Sequence, residues 1–221
     1  MMPFPGGIET LANATLIFSV VAAIGYAFSL SLPSSLRRSA VKTLAIGLLA
    51  VLAFEQDAPL LLAGALGLSA ASDALSSQPN ARTDVAGFVA GIAAFLAFGL
   101  LFVTYGTAGL LFSDPWRLAL AAAMIALAAA ILARSWGQLG RRRRLPALAY
   151  TLALLLMALS ALMTTPKIVA GVLLLTGSAA AILAARLPAS EPSSQRALWP
   201  FAAWVLRYTG HLAITLGALL G

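Results

Sequence analysis

Apolar residues fill this chain in long runs, and the polar residues that break them come in short clusters. Eight runs are separable, at about 9–32, 39–54, 58–77, 85–106, 116–134, 146–163, 167–186 and 197–220. A helix needs about 20 apolar residues to cross a bilayer, and in hydrocarbon only helices or closed barrels satisfy every backbone group. The pattern therefore predicts an all-α, polytopic membrane helical bundle of about eight transmembrane helices. No long polar segment leaves room for a soluble domain, so residues 1–221 are expected to form a single domain. The second run is the shortest, and Lys42 at its start is expected to snorkel to the interface. Asp57-Ala-Pro59, Asp114-Pro115 and Thr165-Pro166 pair a capping residue with a first-turn proline, which predicts helix starts at 58, 115 and 166. Gly64 and Gly67, like the alanine-rich stretch from Ala119 to Ala133, read as small residues that let helices approach closely.

One polar pattern falls inside a run. Ser69, Ser72, Asp73 and Ser76 follow i, i+3, i+4, i+7 spacing, so they share one helical face. A carboxylate is costly in hydrocarbon and marks a functional site or a structural ion pair. In the last run Arg207, His211 and Thr215 form a second polar line at i, i+4, i+8.

Composition agrees with the pattern. The chain is 61% hydrophobic and 10% charged, with a mean hydropathy of +0.96. The net charge of +7 would suggest nucleic acid in a soluble protein; here it reads as topology. Arg37, Arg38, Lys42, Arg82, Arg134, Arg141 to Arg144, Arg186 and Arg196 gather at the odd-numbered connections, against Arg117 and Lys167 at the others. Both termini are then expected outside the cytoplasm of a bacterial inner membrane. The Arg141–Arg144 run could also meet anionic head groups. The first run is too long for a signal peptide and lacks a basic n-region, so it reads as a retained span. Tyr26, Tyr105 and most tryptophans read as interfacial belt residues. There is no cysteine, and neither a second histidine nor a carboxylate pair at ligand spacing, so no metal and no cofactor are expected. Ser178 lacks a nucleophile-elbow motif, which argues against a serine triad.

Depth brings the polar groups together. Asp73 lies about 6 Å, and Tyr150 a similar distance, from the cytoplasmic end of its span; Asp73 and Arg207 differ by about 9 Å. Asp73, Lys42, Tyr150, Ser178 and Arg207 could converge on a cavity open to the cytoplasmic leaflet, with His211 a turn deeper. Desolvation favours a protonated carboxyl and a cation favours the carboxylate; the sequence leaves both open, along with a pair that only fixes packing.

Several segments, in order, resemble the lysoplasmalogenase (YhhN-like) membrane protein family. They are Val41-Lys42-Thr43-Leu44, Leu66-Gly-Leu-Ser-Ala-Ala-Ser72-Asp73-Ala-Leu75, Phe88-Val-Ala-Gly91-Ile-Ala-Ala-Phe95, Leu145-Pro146-Ala-Leu-Ala149-Tyr150, Leu156-Met157-Ala158, Gly171-Val-Leu-Leu-Leu-Thr-Gly-Ser178 and Tyr208-Thr-Gly210-His211-Leu-Ala-Ile214. The resemblance implies an eight-helix bundle that hydrolyses the vinyl ether bond of lysoplasmalogens, releasing a fatty aldehyde. It implies Asp73 as general acid; His211, or Arg207, is the candidate to stand in for the family's second acid as a catalytic group, with Lys42, Ser72, Tyr150, Ser178 and Arg207 as substrate-binding residues. The implied partner is a membrane lipid or lysophospholipid substrate, with no nucleic acid. The chain departs from the family pattern at Ala179, where an acid is usual, at Gly99, where a histidine is usual, and at Thr43, where a proline is usual. A noncatalytic lipid-binding bundle, or a small proton-coupled transporter, is the alternative that the missing carboxylate leaves open.

Overall fold

The computed structural model describes residues 3–32, 35–77, 81–136, 141–186 and 193–221. Those residues form nine helices and no strand: α1 (Leu11–Ser29), α2 (Leu36–Glu55), α3 (Leu60–Ser76), α4 (Ala81–Tyr105), α5 (Leu110–Ser113), α6 (Pro115–Trp136), α7 (Arg141–Ala161), α8 (Pro166–Arg186) and α9 (Ser193–Leu219). Apart from α5, a single turn, each corresponds to one expected span. The chain is an all-α, multi-pass membrane protein. By length and composition, α1, Val85–Tyr105 of α4, Pro115–Ala133 of α6 and Arg144–Ala161 of α7 suffice to cross a membrane. Helix α3 and Pro166–Ile182 of α8 are apolar but shorter.

Starts at Pro115 and Pro166 agree with the sequence, but the start expected at 58 does not. Asp57 instead has φ +52° and ends α2. Its N–H donates to Phe54 O and the N–H of Ala58 to Ala53 O. These are the paired bonds of a Schellman motif, so Asp57 occupies the left-handed position that glycine more often fills. Helix α2 is also longer than its apolar run. Ser35 Oγ accepts from Arg38 N and caps it, extending it to 20 residues. Helices α7 and α9 begin upstream of their apolar runs, and Pro146 and Pro200 lie inside them.

Helices α2, α3, α4, α7, α8 and α9 pack in a closed circuit, α9 returning to α2 and also touching α1. Helix α6 packs on α7 and the short α5. A close crossing joins α8 to α9. A Cβ on Gly171 would stand 2.8 Å from Gly210 O, and one on Gly210 2.8 Å from Gly171 O. Only glycine permits that backbone contact. Gly64 and Gly67, expected to serve such a crossing, would have nothing within 4 Å of an added Cβ; α3 turns these glycines away from its neighbours.

The end of the bundle at the α6 start is pinned by Arg117, which is buried at 3% exposure. Its Nε meets Asp114 Oδ2 at 2.9 Å. Its Nη1 donates to Leu162 O and, at 2.8 Å, to Thr164 O. These carbonyls follow the end of α7, where a helix leaves acceptors unpaired. Thr107 N takes the Met163 carbonyl between them.

Candidate functional site

Asp73 lies one turn from the end of α3 and is 5% exposed. Helix α3 presents it inward with Ser69 and Ser72, both buried, while Ser76 is exposed. The carboxylate is gripped on both oxygens. Lys42 Nζ of α2 sits 2.9 Å from Oδ1 and Arg207 Nε of α9 sits 3.1 Å from Oδ2. The Lys42 side chain thus does not snorkel outward; it turns into the bundle, because a buried carboxylate offers it a partner in place of water. Lys42 also lies 5.9 Å from the centroid of the Tyr26 ring. The Tyr150 hydroxyl bonds to Arg207, which links α7 into the cluster.

Four helices therefore meet through Lys42, Asp73, Arg207 and Tyr150. The side chains of the two cations are 19% and 15% exposed, against 6% for Asp73. An arriving anion would meet the ammonium and guanidinium before it met the carboxylate. Two cations facing one anion leave one positive charge in excess. That excess suits a monoanionic ligand, because an unbalanced charge is costly at membrane depth.

An aromatic wall supports the cluster. Phe88 stacks on Tyr150 at 5.3 Å between ring centroids, and Phe95 meets the same ring edge-on at 5.2 Å. Gly91 lies between them on α4, where an added Cβ would stand 3.9 Å from Tyr150 Cε2 and 3.0 Å from Ser72 Oγ. Ser72 joins α3 to α4, donating to Gly87 O at 2.7 Å. Ser178 is buried, and its hydroxyl donates to Ala203 O at 2.8 Å, one turn before Arg207 on α9. It ties α8 to the Arg207 helix and makes no bond to Asp73, Lys42 or Arg207.

His211 is fully buried one turn beyond Arg207, its Nδ1 2.8 Å from Arg207 O. Its ring packs 6.0 Å from the Phe98 centroid. Gly99, next along α4, faces α7 instead, 3.6 Å from Met157 Cα for an added Cβ. The imidazole beside α4 thus comes from α9. Ala179, half-buried beside Ser178, adds no polar side-chain atom to the site.

Sequence reading missed the contribution of α1 and the aromatic wall. Tyr26 is buried rather than interfacial; it packs 4.4 Å from Trp204, itself buried, and carries Lys42 and Arg38 over its ring. Ser19 Oγ donates to Ala45 O and lies 2.9 Å from Tyr208 Oη, and Trp204 Nε1 donates to Ala23 O. The signal was the spacing of Thr15, Ser19 and Tyr26, which marks an inward face of α1. Phe88, Phe95, Phe98 and Phe102 mark one on α4 in the same way. Tyr105, Trp116 and Trp136 are exposed, as belt residues should be. Arg144 lies 5.4 Å over the Trp136 ring. The side chains of Arg82, Arg134, Arg141 to Arg143, Arg186 and Arg196, on which the topology expectation also rests, lie outside the described residues.

Compared with known proteins, residues 37–218 match the family model described as the YhhN family. No curated protein and no solved structure shows a significant match.

Proposed function

Because the chain belongs to the YhhN family, we propose that it is a lysoplasmalogenase-like hydrolase, cleaving the vinyl ether bond of a lysoplasmalogen or related single-chain lipid and releasing a fatty aldehyde. The observation that carries this reading is the Lys42–Asp73–Arg207–Tyr150 cluster. It sets an acid–base group and an excess positive charge inside a membrane bundle, where a single-chain phospholipid brings both an anionic phosphate and a hydrolysable tail linkage. Lys42 and Arg207 hold the phosphate. As they turn toward it, their grip on Asp73 loosens, and the carboxyl takes a proton. Asp73 then protonates the vinyl carbon beyond the ether-bearing one, giving an oxocarbenium ion that water traps. Tyr150 steadies Arg207 while this exchange of partners occurs. Ser72 and Ser178 hold α3 and α9 in place at the site rather than touching the lipid. The basic ends of the helices lie in the cytoplasm, so both termini lie outside and the substrate enters from the cytoplasmic leaflet.

Purified protein in mixed micelles with 1-alkenyl lysophosphatidylethanolamine or -choline is the test. Aldehyde should appear with wild type and vanish with Asp73→Asn. No aldehyde from well-folded wild type overturns the reading. One observation favours a second reading, a lipid-binding bundle without chemistry: both Asp73 oxygens already carry a cation, and a carboxylate so held has no proton to give. That reading predicts saturable binding of the same lipid without turnover.

A further inference from the structure

His211 is the chain's single histidine and has no exposed surface. Its Nδ1 faces the Arg207 carbonyl at 2.8 Å. A carbonyl oxygen only accepts, so Nδ1 bears the proton and donates it. In a neutral imidazole the other nitrogen then carries a bare lone pair. That nitrogen, Nε2, is buried, and among the described residues no protein donor reaches it. A buried acceptor left unpaired costs about 1–3 kcal/mol, and the fold does nothing else to relieve it. Thr215, one turn on, donates to the His211 carbonyl and not to the ring.

The groups around the imidazole are few. On α9 it has Arg207, and from α3 it feels Asp73. From α4 the apolar Phe98 ring packs beside it. Lys42 of α2 and Tyr150 of α7 act at one remove, through Asp73 and Arg207 respectively. Lys42 and Arg207 each place a donor on Asp73, Arg207 also donates to the Tyr150 hydroxyl, and none of the three reaches Nε2. The acceptor is therefore matched to a small donor from outside the chain.

We propose that His211 Nε2 is the seat of a buried water and the base that deprotonates it during hydrolysis. The base role rests on the hydrolase reading above; the seat does not. In the trapping step the water oxygen bonds to the oxocarbenium carbon. One of its protons passes to Nε2, leaving a neutral hemiacetal and an imidazolium. The imidazolium then gives that proton to the ether oxygen as the carbon–oxygen bond to glycerol breaks. The hemiacetal hydroxyl becomes the aldehyde carbonyl and its proton restores the Asp73 carboxyl. Atoms and charge close over the cycle, with one water consumed.

The single histidine allows a one-site measurement. Protein labelled with ¹⁵N in the imidazole should show Nδ1 protonated, Nε2 unprotonated, and a magnetisation-transfer peak between the ring and slowly exchanging water. An Nε2-protonated ring, or a ring with no water contact, overturns the seat. With 1-alkenyl lysophospholipid, His211→Gln should lower kcat by about 10²–10⁴-fold with KM little changed, since the phosphate-binding cations remain. Unchanged kcat overturns the base role. If wild type itself releases no aldehyde, the base role falls with the hydrolase reading, and the NMR result still decides the water seat.

Discussion

Removing the anion from the ionic cluster should damage the fold far more than removing either cation. Asp73 pairs with Lys42 at 2.9 Å and Arg207 at 3.1 Å, all three side chains less than a fifth exposed. At an effective dielectric of about 20, each contact carries roughly 5 kcal/mol of Coulomb attraction before desolvation is charged against it. Breaking a buried pair by losing one partner typically costs about 3–5 kcal/mol, because the survivor is left uncompensated. Asp73→Asn leaves two facing cations with no anion. Lys42→Met or Arg207→Met leaves one neutral pair. The loss for Asp73→Asn should therefore reach about 3–5 kcal/mol, or a fall in Tm of roughly 10 °C, with each cation variant falling by less than half as much. Replacing all three, as Lys42→Met, Asp73→Leu and Arg207→Met together, should recover most of the stability, since an apolar triad of similar volume is often neutral or stabilising. Aldehyde release should not recover with it. Thermal unfolding in detergent, paired with the aldehyde assay on the same samples, reads both quantities. The charge reasoning fails if Lys42→Met melts as low as Asp73→Asn, or if the apolar triple variant stays as unstable as the single Asp73 variant.

Three further outcomes follow from the packing and the charge distribution. Arg117→Met should cost about 2–4 kcal/mol by leaving the Leu162 and Thr164 carbonyls and Asp114 without their donor, read as a lowered Tm while binding of lipid by the folded fraction stays unchanged. Gly210→Ala drives a Cβ to 2.8 Å from Gly171 O and should cost about 1–3 kcal/mol, whereas Gly64→Ala, which meets nothing, should be neutral or stabilise by up to about 1 kcal/mol; equal melting temperatures for the two would refute the crossing. With no native cysteine, single cysteines placed at Ser31 and at Thr107 should label with a membrane-impermeant thiol reagent in intact cells only at Thr107 if both termini lie outside.

Much of the fold was legible because hydrophobic run length is a strong signal in a bilayer. The Pro115 and Pro166 starts carried their own chemistry, a free first-turn N–H position that proline tolerates. Asp57 was misread because a capping residue before proline has the same one-dimensional pattern whether it opens the next helix or closes the last. Only the backbone, at φ +52°, tells the two apart. Asp73, Lys42 and Arg207 could be named as candidates from cost alone, since charge in hydrocarbon demands a partner. Which cation it chose could not be named, because depth fixes one coordinate and the order of helices around the bundle fixes the other. The answer was both. Ser72 and Ser178 show what burial alone hides: the hydroxyl of each donates to a backbone carbonyl on the neighbouring helix, a partner that spacing along the chain does not reveal.

The helices that escape a purely apolar criterion are instructive in this light. Helices α2 and α9 are not among those that qualify by length and composition, and α3 qualifies only as a shorter apolar helix. These three carry Lys42, Asp73, Arg207 and His211. Arg37, Arg38 and Lys42 depress the hydropathy of α2, and Arg207 with His211 that of α9, while the apolar faces of both still pack into the core through residues such as Ile46, Leu49, Tyr208 and Ile214. A charge on an inward face lowers a helix's average hydropathy without exposing anything polar to lipid, provided the charge finds its counterion inside. Helix α6 is the converse: it is apolar enough to qualify, and none of the site residues lies on it. The charged groups and His211 are thus gathered on α2, α3 and α9 of the closed circuit, and the inward charges that keep α2 and α9 out of the apolar set do not argue against a transmembrane course.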